Sequence, residues 1–214
     1  MTDPAAVEAL ALRLRAGDPA AAGELFAACR ERLKKMVKLR LDRRLQGRLD
    51  ASDVLQEAFL DVQRKAVEFA TKPDFPPYLW LRLVTTERLL ILHRRHLGAQ
   101  MRDAAQEVSL CPAGAPAAST HSLANLLLGR LTSPTQAAIR AERQLRLQEA
   151  LNGMDQLDRE ILALRHFEEL SNSEAATVLG LSKTTASNRY IRALKRLKEI
   201  LVALPGINSN APVE

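Results

Sequence analysis

"LSNSEAATVLGLSKTTASNRYIRALKRLKEIL", residues 170–201, compresses a helix start, a glycine break and a long basic helix into one unit. Ser171 followed by Glu174 is a capping box, in which each side chain satisfies the other residue's free backbone donor, so a helix is expected from Asn172. It stops at Leu179, because Gly180 takes the left-handed conformation of a sharp helix end, and Ser182 caps a second helix two residues later. The unit is helix, tight turn, helix. On a helical wheel Ala186, Tyr190, Leu194, Leu197, Leu201 and Leu204 share one face of the second helix, while Thr185, Asn188, Arg189, Arg192, Lys195 and Arg196 point largely away. From Lys183 to Lys198 the basic residues are Lys183, Arg189, Arg192, Lys195, Arg196 and Lys198, and none is acidic. Such a face suits base edges and flanking phosphates in a major groove. The competing reading is a solvated basic helix in an ordinary bundle, and the capped turn together with the one-sided charge weighs against it.

The rest of the chain fits a helical protein. Its 214 residues allow one or two domains, each with its own core. A composition 47% hydrophobic but only 4% aromatic, rich in Ala, Leu and Arg, favours helix over sheet, so the expected class is all-α. The excess of 31 basic over 25 acidic residues, +6 at neutral pH, is compatible with a polyanionic partner. Cys29 and Cys111 lack ligand spacing and are too few for a disulfide framework, so reduced thiols are expected and a structural metal is not. The first 18 residues carry charges every few positions, unlike a signal peptide or membrane span, so a cytoplasmic chain without a membrane partner is expected.

Two small helical domains joined by a flexible linker are expected, the carboxy-terminal one holding the helix-turn-helix. In the first, residues 1–108, Asp18 caps a helix with Pro19 in its first position that runs through Leu25, Phe26, Leu33 and Val37 to about Leu45. Asp50 or Ser52 caps the next, with Val54, Leu55, Ala58, Phe59 and Val62 as its apolar stripe. After the breakers of "TKPDFPP" a third helix spans about Pro77 to Leu97. Residues 109–133, rich in Ala, Pro, Ser and Gly with one short apolar patch at Leu126 to Leu128, read as a linker that can contain a helical turn. In the second domain, 134–204, Ser133 caps a helix with Pro134 in its first position and Asp155 starts another. Residues 205–214 read as a frayed tail. No nucleophile, phosphate-cradling loop or carboxylate constellation points to an active site, so neither enzymatic activity nor a cofactor is expected.

With these motifs in order, the chain resembles the sigma-70 family of bacterial transcription initiation factors, in its small two-domain extracytoplasmic-function group, over roughly residues 18–202. The segment "DREILALRHFEELSNSEAATVLGLSKTTASNRYIRALKRLKEIL" is similar to the domain that reads the promoter element near −35. The resemblance implies base or phosphate contacts for Thr185, Ser187, Asn188, Arg189 and Arg192, with Lys195 and Arg196 on the DNA backbone. "DASDVLQEAFLDV" resembles the segment that grips core RNA polymerase, with Asp53, Gln56, Glu57 and Leu60 on one helical face. "FPPYLWLRLVTTERLLILHRRH" resembles the segment that melts and reads the −10 element. In or beside its leading loop Lys72, Phe75 and Tyr78 are candidates for the unpaired strand, and Arg88, Arg94 and Arg95 are candidates for phosphates. The implied partners are core RNA polymerase and promoter DNA, with an anti-sigma factor or regulatory kinase as further candidates, and the free chain would be a monomer.

Trp80 is expected in the core instead of on a base. His93 and His96 stand one turn apart without a third ligand, which disfavours metal. Glu87 stands where relatives commonly carry Asn, and Ile91 where they often carry Asp. "DASD" replaces "DAED", so Ser52 occupies the place of a carboxylate, where phosphorylation would restore charge. An ordinary helix cap is the simpler reading of Ser52. Two alternatives stay open: a free-standing helix-turn-helix regulator, and a helical adaptor whose basic helix binds an acidic partner.

Overall fold

The computed structural model describes residues 3–45, 47–97, 116–131 and 137–204. Every regular element among them is helical, and the chain divides into two compact units, broadly residues up to 110 and from 117 onward.

The first unit holds α1 (Pro4–Arg15), α2 (Ala20–Arg40), a short 3-10 turn (Arg43–Leu45), α3 (Ala51–Ala70) and α4 (Pro77–Leu97). The helix α1 was not anticipated from the charged amino terminus. Asp3 caps it by accepting from the Ala5 amide and Pro4 takes its first turn. Asp18 accepts from the Ala20 amide at 3.0 Å, as a cap for α2 should, but α2 ends at Arg40 and the 3-10 turn fills the stretch to Leu45. Asp50, not Ser52, is the cap of α3, in a reciprocal box with Asp53. Of the expected stripe, Val54, Leu55, Ala58 and Val62 are buried and Phe59 is half-buried. Trp80 lies in this core, stacked on Phe69 at a centroid distance of 4.6 Å, as its size predicts.

The second unit holds α5 (Thr120–Leu131), α6 (Ala137–Asn152), α7 (Gln156–Leu162), a π turn (Ala163–Phe167), α8 (Asn172–Leu179) and α9 (Lys183–Ala203). Here the expected linker is corrected, because α5 occupies its second half. Leu123, Ala124, Leu127 and Leu128 of α5 are buried, and α5 packs against α6. The buried Glu160 carboxylate of α7 accepts from the Ala118 amide at 2.9 Å, which ties the lead into α5 to the same unit. The helix start assigned to Ser133 and Pro134, the neighbourhood of Cys111 and the tail 205–214 lie outside the described residues.

The helix-turn-helix follows its local signals. Asp155 caps α7, the Ser171–Glu174 box opens α8, and Ser182 caps α9. Gly180 has φ +64°, and the Leu181 amide donates to the Ala176 carbonyl at 2.9 Å, closing the left-handed stop. The Asn172 side-chain amide also donates to the Lys183 carbonyl at 2.8 Å, pinning the start of α8 to the start of α9.

Candidate nucleic-acid interface

The α9 helix packs on α7 and α8 through Ala186, Ala193, Leu197 and Ile200, which are buried. This is a rotation from the expected face: Ala193 replaces Leu194 at its centre, and Leu194 is 37% exposed. The small Ala193 lets the helices approach closely, while Leu194 joins Leu123, Leu127, Leu162, Phe167 and Leu201 around an apolar cavity of about 200 Å3 within this unit.

On the outer side Lys183, Thr184, Thr185, Asn188, Lys195 and Lys198 are exposed. Ser187 is half-buried, and the Thr185 hydroxyl lies 2.8 Å from that of Ser182 at the helix cap. Arg196 is exposed and pairs with Glu199 at 3.0 Å. Arg189 and Arg192 are held differently. Arg192 grips Asp158 of α7 with two parallel bonds, Nε to Oδ2 at 2.8 Å and Nη2 to Oδ1 at 2.7 Å. Arg189 donates through Nη1 to Asp158 at 2.8 Å and to Asp155 at 3.0 Å. Asp158 is only 6% exposed. Burial alone would raise its pKa, but the bonds from Arg192 and Arg189 outweigh that and hold the carboxyl below its usual range. Arg192 is raised in turn, chiefly by its bonds to Asp158.

Sequence reasoning missed both aspartates as partners of α9, treating Asp155 solely as a cap. A signal was available: Asp155 and Asp158 stand three residues apart, as do Arg189 and Arg192, so two helices carry matching acidic and basic pairs.

In the first unit, Asp53, Gln56 and Leu60 are exposed along one side of α3, Leu60 by 50%. Glu57 is half-buried and reaches Arg88 of α4 at 3.3 Å. Ser52 is half-buried in the first turn of α3, its amide donating to Asp50 at 2.6 Å. Lys72, Arg94 and Arg95 are exposed, with Lys72 paired to Glu68 at 2.7 Å, and Phe75 is half-buried.

Two of the expected −10 contacts are engaged within this unit. Tyr78 is 2% exposed, its ring under the Arg32 guanidinium at 3.7 Å, because the first turn of α4 faces inward. Its ring face therefore has no room for a base. Arg88 spans the gap between α4 and α3, donating to both Asp61 oxygens at 2.6 Å, which ties the two helices together. Glu87, unfavourable beside DNA, is bound by Lys65, whose pKa is raised chiefly by that bond. His93 is buried and accepts from the Asp42 amide at 3.3 Å, and burial holds its pKa below the ordinary value of 6.5.

Residues 144–197, from mid-α6 to α9, match the family described as "Sigma-70, region 4". Over 209 residues the chain is 28% identical to the RNA polymerase sigma factor NccH of Alcaligenes xylosoxydans, covering 94% of this chain and 97% of that one. It is 24% identical to the probable RNA polymerase sigma factor RfaY of Xanthomonas campestris, covering 87% of this chain and 42% of RfaY. A shorter stretch of 63 residues is 41% identical to the sigma-E factor of Streptomyces coelicolor, covering 29% of this chain and 35% of that one. The chain thus spans less than half the length of two of these relatives. The fold is similar to that of CnrH, solved in complex with the cytosolic domain of CnrY, with a TM-score of 0.52 at 22% identity, covering 91% of this chain and 96% of CnrH.

Proposed function

We propose that the chain is a member of the sigma-70 family, in its extracytoplasmic-function group, and is a dissociable initiation factor that binds core RNA polymerase and directs it to promoters through the −10 and −35 elements. The observation that carries this is the capped helix-turn-helix whose outer face is basic and hydroxylic while its inner face is packed. In this reading the unit formed by residues 134–204, with α5 added to it, reads the −35 element. Thr185, Ser187, Asn188, Arg189 and Arg192 are the candidates for base or phosphate contacts, and Lys195 and Arg196 for the DNA backbone.

The exposed Asp53, Gln56 and Leu60 of α3, with Glu57 beside them, form the polymerase-docking stripe, a charged and apolar mixture suited to a helical partner. Lys72, Phe75, Arg94 and Arg95 are the accessible candidates for the −10 strand, while Tyr78 is buried and Arg88 is paired with Asp61 in the free chain. Two promoter-reading modules on one chain raise each other's effective concentration. The factor positions polymerase and catalyses no bond change itself.

No helix of the described residues is long and apolar enough to cross a membrane, which is consistent with work beside polymerase in the cytoplasm. CnrH was solved with a protein partner, which supports control of this chain by a protein that covers its docking faces, an anti-sigma factor. A kinase acting on Ser52 is the other regulatory reading, since a phosphate at the amino-terminal turn of α3 would meet a favourable helix dipole.

In vitro transcription with purified core polymerase and a promoter library tests the proposal. Sequence-selective initiation that needs both components is the expected result. Duplex binding by the chain alone, without core association or transcripts, would transfer support to a free-standing regulator. Ser52→Asp should alter core affinity if phosphorylation governs docking, and equal affinity would refute that control.

A further inference from the structure

We infer that Asp158 is a specificity-determining positioning residue, an internal clamp that holds Arg189 and Arg192 in fixed orientation on α9 and withholds part of their charge from nonspecific phosphate contact. The inference rests on the reading of α9 as the promoter-facing helix.

A single buried carboxylate accepts three N–H bonds from two guanidinium groups, at 2.8, 2.7 and 2.8 Å. Asp155 adds a fourth bond to the arginine pair, the second to Arg189, while also accepting from the Leu157 and Asp158 amides at the start of α7. The Asp155 carboxylate is therefore fixed by the backbone of α7, Asp158 is held by its burial in the first turn of that helix, and the basic pair is bonded to both. Two-point bonding to Arg192 sets the plane of its guanidinium as well as its position.

The two arginines differ in what they still present. The Arg192 side chain is 60% exposed, so one edge is anchored and the other faces outward. The Arg189 side chain is only 25% exposed and is bonded to both aspartates. Arg189 thus acts mainly as a strut, and Arg192 as a pre-aimed donor. An unanchored arginine would sweep its long side chain across many phosphate positions, which adds affinity for any duplex and no discrimination. Anchoring removes that freedom before DNA arrives, so a correctly placed contact costs less ordering and a misplaced one is harder to make.

Asp158→Asn keeps the shape of the side chain but removes its charge. The test titrates the full-length chain with a short duplex of random sequence across a range of salt concentrations. In parallel, the chain bound to core polymerase is measured on a promoter selected from a randomised library and on a scrambled promoter. Each phosphate neutralised contributes about 0.9 to the slope of log affinity against log salt. Release of one or two arginines should therefore steepen the slope by about 1 to 2 for Asp158→Asn and lower the selected-to-scrambled ratio by roughly ten-fold. Adding Arg192→Gln to Asp158→Asn should reverse most of the steepening, which a merely structural role would not do.

Unchanged slope and ratio in a folded Asp158→Asn protein would overturn the clamp. So would an equal loss of affinity for every duplex without steepening. If Asp158→Asn does not fold, Asp155→Ser decides, because serine keeps the helix cap while releasing one anchor of Arg189. A steeper slope by less than one unit is then expected, and no change refutes the inference. Should the polymerase-bound chain select no sequence, the promoter reading fails, whereas the slope on random duplex still decides the clamp.

Discussion

Replacing Gly180 by alanine should cost the second unit stability through backbone conformation alone. Gly180 has φ +64° and ψ 32°, the left-handed region, where a Cβ is pressed toward the following carbonyl oxygen. An added Cβ would meet nothing within 4 Å, so no packing clash adds to the cost. The penalty is therefore the left-handed one, about 1–2 kcal/mol. For a domain of this size class each kcal/mol lowers the melting temperature by about 4–8 °C, so a fall of roughly 5–15 °C is expected. Gly180→Asn should recover at least half of it, because asparagine tolerates this conformation. The chain contains a single tryptophan, Trp80, and it lies in the first unit. Helical circular dichroism should then show the loss while the Trp80 fluorescence transition stays in place. A Gly180→Ala protein as stable as the parent would refute the left-handed stop. A loss well above 3 kcal/mol would refute the statement that the site has room.

Ser171→Ala, which removes one half of the α8 capping box, should cost about 1 kcal/mol in chemical denaturation, with Ser171→Asp close to the parent. Leu123→Ala should cost about 2–5 kcal/mol by the same measurement, because Leu123 is buried in the second unit, whereas a residue in a true linker would cost almost nothing. His93 gives a pH dependence with a definite sign. Its folded pKa is below 6.5, so as pH falls through about 6.5 the unfolded chain takes up the proton first and stability declines until the folded pKa is passed. Melting temperatures of the parent and His93→Gln between pH 7.5 and 5 should converge on the acid side, and parallel curves would exclude this coupling.

How far the sequence could be read depended on the range of the interaction. Asp50, Asp155, Ser171, Gly180 and Ser182 act on backbone groups within three residues or so, and each was legible because its partner is a near neighbour in the chain. The all-helical class, the helix-turn-helix, the burial of Trp80 and the bounds of α4 followed from such local signals and from apolar spacing. Two segments escaped for opposite reasons. The amino-terminal α1 has too mixed a pattern to stand out, although Asp3 and Pro4 are sound start signals. The helix α5 has a composition of linker type, and only its burial against α6 and the bond from Ala118 to Glu160, 42 residues away, make it part of a core.

The site residues divide along the same line. A count of charges on α9 establishes that one face is basic, and the residue types alone make that face fit for DNA. Which of those charges are paired is a different matter, settled for Arg189 and Arg192 by side chains more than 30 positions away. Asp158 engages Arg189 and Arg192 across 31 and 34 residues, and Asp61 takes Arg88 across 27. Tyr78 shows the same limit, since its place beside a loop promised exposure while packing under Arg32 removed it. Local hydrogen bonding sets the helix ends at Asp50, Asp155, Ser171, Gly180 and Ser182, so the sequence by itself determined those boundaries. The availability of a charged or aromatic side chain depends on which distant partner the fold brings to it, and only the tertiary structure decides that.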